Sequence, residues 1–142
     1  MPLTLKIKRL REDAKIPHYA HPGDAGLDLY AVEDITFAPN ERAAVPTGIA
    51  MEIPEGHVGF IWDKSGLSIK HGLKTLGGVV DSGYRGEVLV GIINLSDEEY
   101  TIRKGEKVAQ MIIQKKESVA VEETAELGET TRGEGGFGST GK

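Results

Sequence analysis

Apolar and polar residues alternate from Leu3 to Leu10 (LTLKIKRL), a period of two that suits a strand with one buried face. Further short apolar runs, many of them β-branched, follow at LDLYAV, ITFA, RAAVPTGIAMEI, HVGFIWD, LKTLGGVVD, GEVLVGIINLS, YTIRKGEKVAQMIIQK and SVAVEE. Turn-forming pairs and triplets such as Pro39-Asn40, Pro54-Glu55-Gly56 and Asp97-Glu98 separate them. Only Ser65–His71 reads as a helix, one or two turns long. Many short strands with no good helical run between them predict an all-β Greek-key sandwich or jelly-roll barrel. No internal repeat is visible.

Composition narrows this picture. The 142 residues, 39% hydrophobic and 27% charged, suit one globular domain with its own core, and 19 glycines fit a chain that turns often. A formal net charge of −5 argues against a surface built to hold nucleic acid, which needs a concentrated field of Lys and Arg. A small phosphorylated ligand needs only a local cluster of donors and stays open. The absence of cysteine excludes disulfides, thiolate nucleophiles and Cys-based zinc sites. Charge interrupts every apolar stretch of MPLTLKIKRLRED, so neither a signal-peptide core nor a membrane span is expected there, and a cytoplasmic protein is the default.

From Thr130 the character changes. TTRGEGGFGSTGK holds five glycines and three threonines, and Phe137 is its only large apolar side chain. Such a segment buries too little surface to offset its ordering entropy, so a flexible terminus is the simplest reading. The sharper reading is an arm that orders over a ligand, with Arg132 and the hydroxyls as anion donors and Phe137 as a stacking face.

Three internal stretches could carry chemistry. Lys64-Ser65-Gly66, at the start of the short helix, offers an ammonium, a hydroxyl and backbone donors to a phosphate; a capping serine beside a solvated lysine explains it equally well. The Walker and Rossmann glycine patterns are missing. In Asp81-Ser82-Gly83-Tyr84-Arg85-Gly86-Glu87, Asp81 could activate water and Tyr84 could pack on a sugar, or both could simply build a turn. Asp24 and Asp28 could each serve a hydrated Mg2+ or terminate a turn and a strand. The histidines at 18, 21, 57 and 71 lack metal-ligand spacing. On the residues alone, a Mg-dependent phosphate hydrolase and a non-catalytic β-rich binding protein both remain.

Taken in order, five segments resemble the motifs of the trimeric dUTPases: Ala25–Ala31 (AGLDLYA), Lys64–Ser68 (KSGLS), Gly78–Glu87 (GVVDSGYRGE), Gly105–Met111 (GEKVAQM) and Arg132–Gly141 (RGEGGFGSTG). Any one could arise by chance; five in order across residues 5 to 141 are specific. The resemblance implies a distorted jelly roll, a β-clip-like barrel over residues 1–129, with a flexible Gly-rich arm, 130–142, that closes over a neighbouring subunit's active site. It further implies a homotrimer with shared sites that hydrolyses dUTP to dUMP and pyrophosphate. In that scheme Asp81 orients the attacking water, and Asp28 meets Mg2+ through coordinated water. A hairpin around Leu76, Gly78 and Val80 reads the uracil edge, with Tyr84 stacked on deoxyribose. Lys64, Ser65, Gly66 and Gln110 hold the phosphate chain. From the arm, Phe137 covers the base, while Arg132, Gly138, Ser139 and Thr140 serve the phosphates.

Two positions depart from the pattern. The usual Pro-Arg of the second motif is Asp63-Lys64 here, which trades a bidentate guanidinium for an ammonium and adds a carboxylate that could tether Lys64 or weaken phosphate binding. Gly83 stands where an acidic residue is frequent. The related dCTP deaminases, some of which also hydrolyse the triphosphate, are the nearest rival; Glu87 is the nearest candidate for the glutamate they require, but it is better read as an exposed or hairpin-supporting carboxylate.

Overall fold

The structure is a computed structural model that describes residues 2–141, and their regular secondary structure is almost entirely β. Eleven strands run in chain order: β1 Lys6–Arg9, β2 His18–Tyr19, β3 Leu27–Tyr30, β4 Ile35–Phe37, β5 Arg42–Glu52, β6 His57–Trp62, β7 Leu73–Leu76, β8 Val79–Asp81, β9 Glu87–Asn94, β10 Tyr100–Ile102 and β11 Lys107–Lys115. They form a four-stranded sheet β1-β5-β9-β7, a five-stranded sheet β2-β3-β11-β6-β8 and a small β10-β4 ribbon, every pairing antiparallel. This is the expected jelly-roll class.

The alternation read from the sequence becomes the core. On β9, Val88, Val90 and Ile92 point inward while Leu89 is left exposed; on β11, Ala109 and Met111 close the core from the facing sheet. Phe37, Leu29, Val45, Ile49, Leu73 and Ile102 complete one continuous cluster. Burying such side chains contributes roughly 1.5–3 kcal/mol each, and this apolar interior is what holds the two sheets together.

Strand β5 is bulged. Its register against β9 slips between Pro46 and Ala50, because Pro46 has no N–H to give the ladder. Side chains satisfy the groups that the bulge releases: Thr47 Oγ1 donates to the Val88 carbonyl at 2.6 Å, and the Gly48 N–H donates to the Glu87 carboxylate at 2.9 Å.

Several expectations change. The alternation from Leu3 to Leu10 is a strand only over β1, with Ile7 part-buried and both end leucines exposed. LKTLGGVVD is two strands, not one: Gly77 and Gly78 take φ of +69° and +108°, and the chain crosses there from β7 in one sheet to β8 in the other. SVAVEE forms no strand, and Val119 and Val121 stand exposed, because alternation supplies a face but not the neighbour a strand must pair with. The short helix is a five-residue π-helical turn, Gly66–Lys70. No helix of the described residues is long and apolar enough to cross a membrane.

Candidate active site

Strand β3 is buried on both faces. Leu29 faces the core, whereas Asp28 and Tyr30 share the opposite face and are nearly as inaccessible. An ionised carboxylate survives there because cations meet it: Lys64 Nζ donates to Asp28 Oδ1 at 2.7 Å and Lys107 Nζ lies 3.2 Å from Oδ2. Burial pushes the Asp28 carboxyl upward, but the Lys64 hydrogen bond and the second ammonium outweigh it and hold the group below the ordinary carboxylate value. The Lys107 ammonium lacks hydrogen-bond alignment, so the buried Oδ2 has no hydrogen-bond donor. Two part-exposed ammoniums on one carboxylate leave a surplus positive charge at the surface, which suits an anion. Burial and the Asp28 charge together push the neighbouring Tyr30 phenol upward.

A bulge in β11 builds half of this cluster. Lys107 pairs with Tyr30 and Gln110 with Asp28, although residues three apart on a regular strand point to opposite faces. Gln110 Nε2 donates to the Asp63 carbonyl at 2.8 Å, joining β11 to the loop that carries Lys64, Ser65 and Gly66. Ser65 makes no side-chain cap, and a single turn of this length has little dipole to offer; the anion-binding capacity of the loop is that of its own side chains and N–H groups. Asp63 does not tether Lys64. Its carboxylate turns to β7, where Lys74 and the Thr75 N–H receive it.

A second cluster lies on β8 and the loop after it. Gly78, Val80, Asp81 and Tyr84 line a cleft of roughly 220 Å³ with Ile61 and Leu89, and its rim carries the exposed side chains of Val79 and Tyr84. A Cβ at Gly78 would stand 2.8 Å from the Ile61 carbonyl, so only glycine lets β8 lie this close to β6. The Tyr84 hydroxyl donates to the Glu87 carbonyl at 2.7 Å, folding the ring back over Gly86, where a side chain would collide with it. Asp81 is exposed at the end of β8. Leu76, also exposed, closes β7 just before the crossing.

The structure therefore brings Asp28, Lys64 and Gln110 together, and separately Gly78, Val80, Asp81 and Tyr84. It does not join the two groups. Asp81 pairs with Val58 at one end of β6, whereas Gln110 pairs with Trp62 at the other, about 13 Å away at the rise of a strand. The arm stands apart from both. Among the described residues, every hydrogen bond beyond Lys116 stays within the terminal segment, including those of Arg132 to the Gly135 carbonyl and of Gly133 to Thr130. Phe137 is fully exposed at a positive φ, with Gly138, Ser139 and Thr140 in the turns beside it. Lys142 lies outside the described residues.

The family model for dUTPase matches residues 12–141. The chain belongs to the dUTPase family. Among its relatives, the deoxyuridine 5'-triphosphate nucleotidohydrolases of Clostridium kluyveri and a Hydrogenobaculum species are 48% and 50% identical to it, each match covering 98% of this chain and 99% of the relative. The dUTPase of Staphylococcus bacteriophage 80alpha, solved with dUPNHPP, superposes with a TM-score of 0.91 at 32% identity over 98% of this chain and 99% of that one. A variant dUTPase from phage phi11 of S. aureus, whose structure shows coordination of a structural Mg(II) ion, superposes with a TM-score of 0.83 at 28% identity over 89% and 99%.

Within this dUTPase, the part played by Lys107 and the partners that Asp63 takes on β7 did not follow from the sequence. Lys107 escaped because period two places it opposite Gln110, and only the bulge reverses that. The clasp of Asp63 on β7 joins residues twelve apart through a turn whose path no local pattern gives. Two other carboxylates have backbone partners: Asp24 accepts the His21 N–H at 3.0 Å in a turn, and Glu87 accepts the Gly48 N–H at 2.9 Å at the β5 bulge.

Proposed function

We propose that this dUTPase hydrolyses dUTP to dUMP and pyrophosphate, by in-line attack of a water on the α-phosphorus, with Mg2+ bound to the triphosphate. The observation that carries the reading is the Asp28–Lys64–Lys107 cluster, built from three of the motifs of a family that matches the chain nearly end to end. It is an anion-receptive surface beside a buried carboxylate.

The residues fit magnesium in one particular way. No group of three or more His, Asp or Glu side chains able to cage a metal exists among the described residues, so the ion's ligands would be chiefly phosphate and water oxygens. Asp28 Oδ2, buried and without a hydrogen-bond donor, is the acceptor that a metal-bound water would use once Lys64 and Lys107 turn to the phosphates. When bound, Mg2+ neutralises the triphosphate and eases departure of pyrophosphate.

The remaining roles belong to side chains. Asp81 orients the water and takes its proton. Lys64, Ser65, Gly66 and Gln110 hold the phosphate chain, and Lys107 adds a cation beside it. Leu76, Gly78 and Val80 supply a narrow pocket whose backbone pairs with the uracil edge, leaving no room for a thymine methyl and mismatching cytosine. Tyr84, its hydroxyl fixed on Glu87, presents the ring on which deoxyribose packs. The arm closes last, setting Phe137 over the base and Arg132, Gly138, Ser139 and Thr140 on the phosphates, so that water other than the nucleophile is excluded.

A homotrimer with shared sites explains why one chain keeps its two clusters apart and its arm unpacked. The cleft at Asp81 then faces the cations of a neighbour, and residues 130–142 reach across as the arm of the 1–129 barrel. A substrate from the free nucleotide pool makes the cytoplasm the setting. Deamination of dCTP is disfavoured, because the Glu87 carboxylate is committed to the Gly48 N–H. The test is product analysis with magnesium and dUTP, dCTP, dTTP or UTP supplied singly. Formation of dUMP and pyrophosphate from dUTP alone supports the reading, whereas release of a deaminated product from dCTP moves the protein to the deaminase branch.

A further inference from the structure

We propose that Asp63 is a positioning residue for the base-binding hairpin, a role that rests on reading β7–β8 as the uracil pocket. Strand β7 is the edge of its four-stranded sheet, with β9 on one side only, so part of its backbone has no strand to pair with. Thr75 is buried there, and its N–H would be orphaned. Asp63 supplies the missing acceptor: Oδ1 takes the Thr75 N–H at 2.7 Å and Oδ2 takes the Lys74 ammonium at 2.9 Å.

The same residue holds two other parts of the site. Its carbonyl accepts the Gln110 amide at 2.8 Å, and its backbone leads directly into Lys64 and Ser65. One step beyond Thr75 the chain reaches Leu76 and the Gly77-Gly78 crossing, where the Ile61 N–H donates to the Gly78 carbonyl at 2.7 Å and the pairing of β8 with β6 begins at Val79. Asp63 therefore fixes the distance between the phosphate loop and the mouth of the base pocket. The carboxylate that departs from the family pattern has partners in this chain, and a proline side chain at that position could not accept the Thr75 and Lys74 hydrogen bonds.

A positioning residue touches no substrate, so its loss acts through the pocket. In Asp63→Ala the Thr75 amide loses its acceptor; its hydrogen exchange in the substrate-free protein rises by about tenfold or more, while amides of β9 keep their protection. KM for dUTP rises about tenfold, with kcat changed by less than about threefold, because the base is held less well while Asp81 and the phosphate side chains are untouched. Asp63→Asn keeps the Oδ1 acceptor and loses only the exposed ion pair to Lys74, so it restores KM to within about threefold of the parent. Asp63 is part-exposed, and neither change opens the core.

Unchanged exchange at Thr75 in Asp63→Ala overturns the clasp. Faster exchange with an unchanged KM, or equal damage from Ala and Asn, reduces Asp63 to a structural residue and overturns the positioning role. Failure of the parent protein to turn over dUTP overturns the base-pocket reading and the role that rests on it. That failure is told apart from loss of the clasp because Thr75 exchange is measured without substrate.

Discussion

Three aspartates share one functional group and occupy three environments. Asp28 is buried beneath two lysines, Asp63 closes a strand edge, and Asp81 stands exposed at the lip of a cleft. For Asp81 the expected outcome of Asp81→Asn is a folded protein that still binds a nonhydrolysable dUTP analogue by calorimetry, with turnover reduced about 10²-fold or more. Near-normal turnover would remove Asp81 from its role. For Asp63, burial raises the carboxyl, but Lys74 and the Thr75 hydrogen bonds hold it below the ordinary value. A group with a depressed folded pKa stabilises fully above its unfolded pKa of about 4 and loses that contribution as pH falls through the folded value. The urea midpoint of the protein should therefore exceed that of Asp63→Asn by a constant margin from pH 7 to about 5, with the margin shrinking below about pH 4. A margin that grows on acidification contradicts the assignment.

At the scale of elements, local pattern and final structure agree where a strand pairs on a regular ladder and part where the ladder is interrupted. The strands of LDLYAV, HVGFIWD and GEVLVGIINLS lie where their apolar runs put them. The β5 bulge, the β11 bulge and the Gly77-Gly78 crossing do not show in periodicity, because each depends on which neighbour the strand meets. The last strand ends at Lys115, and among the described residues the chain from 117 to 141 is almost wholly exposed, its hydrogen bonds lying within itself apart from that of Ser118 with the Lys116 ammonium. Removing residues from Arg132 onward should therefore leave the β circular dichroism spectrum and the melting temperature within about 2 °C of the parent, since no core contact is lost. It should also cut kcat/KM for dUTP about 10²-fold or more through loss of closure. A truncated protein that fails to fold would show that the arm supports the barrel.

At the scale of the whole molecule, a net charge of −5 is combined with a local excess of ammonium around Asp28, so the protein can attract a triphosphate at one place while repelling polyanions generally. Exposed Leu89, Leu76, Val119, Val121 and Leu127 are many apolar side chains for a chain of this size to leave in water. Assembly would cover them and bring Asp81 of one subunit to the cations of another. Sedimentation equilibrium is expected to return the mass of three chains at micromolar concentration; a mass of one or two would overturn the shared-site scheme.

The sequence by itself determined the class of fold, because period-two alternation, β-branched runs and frequent turns leave few architectures that bury so many short apolar faces. It also marked most of the residues that line the two clusters, since their chemistry is carried by short motifs in a fixed order. Only the tertiary structure decided how those residues share charge. That Lys64 and Lys107 both reach Asp28, that Asp63 turns to Thr75, and that Asp81 stands at the far end of β6 all follow from register, bulges and crossings. Those are set by contacts between segments distant in the chain, and no local pattern encodes which strand a given edge will meet.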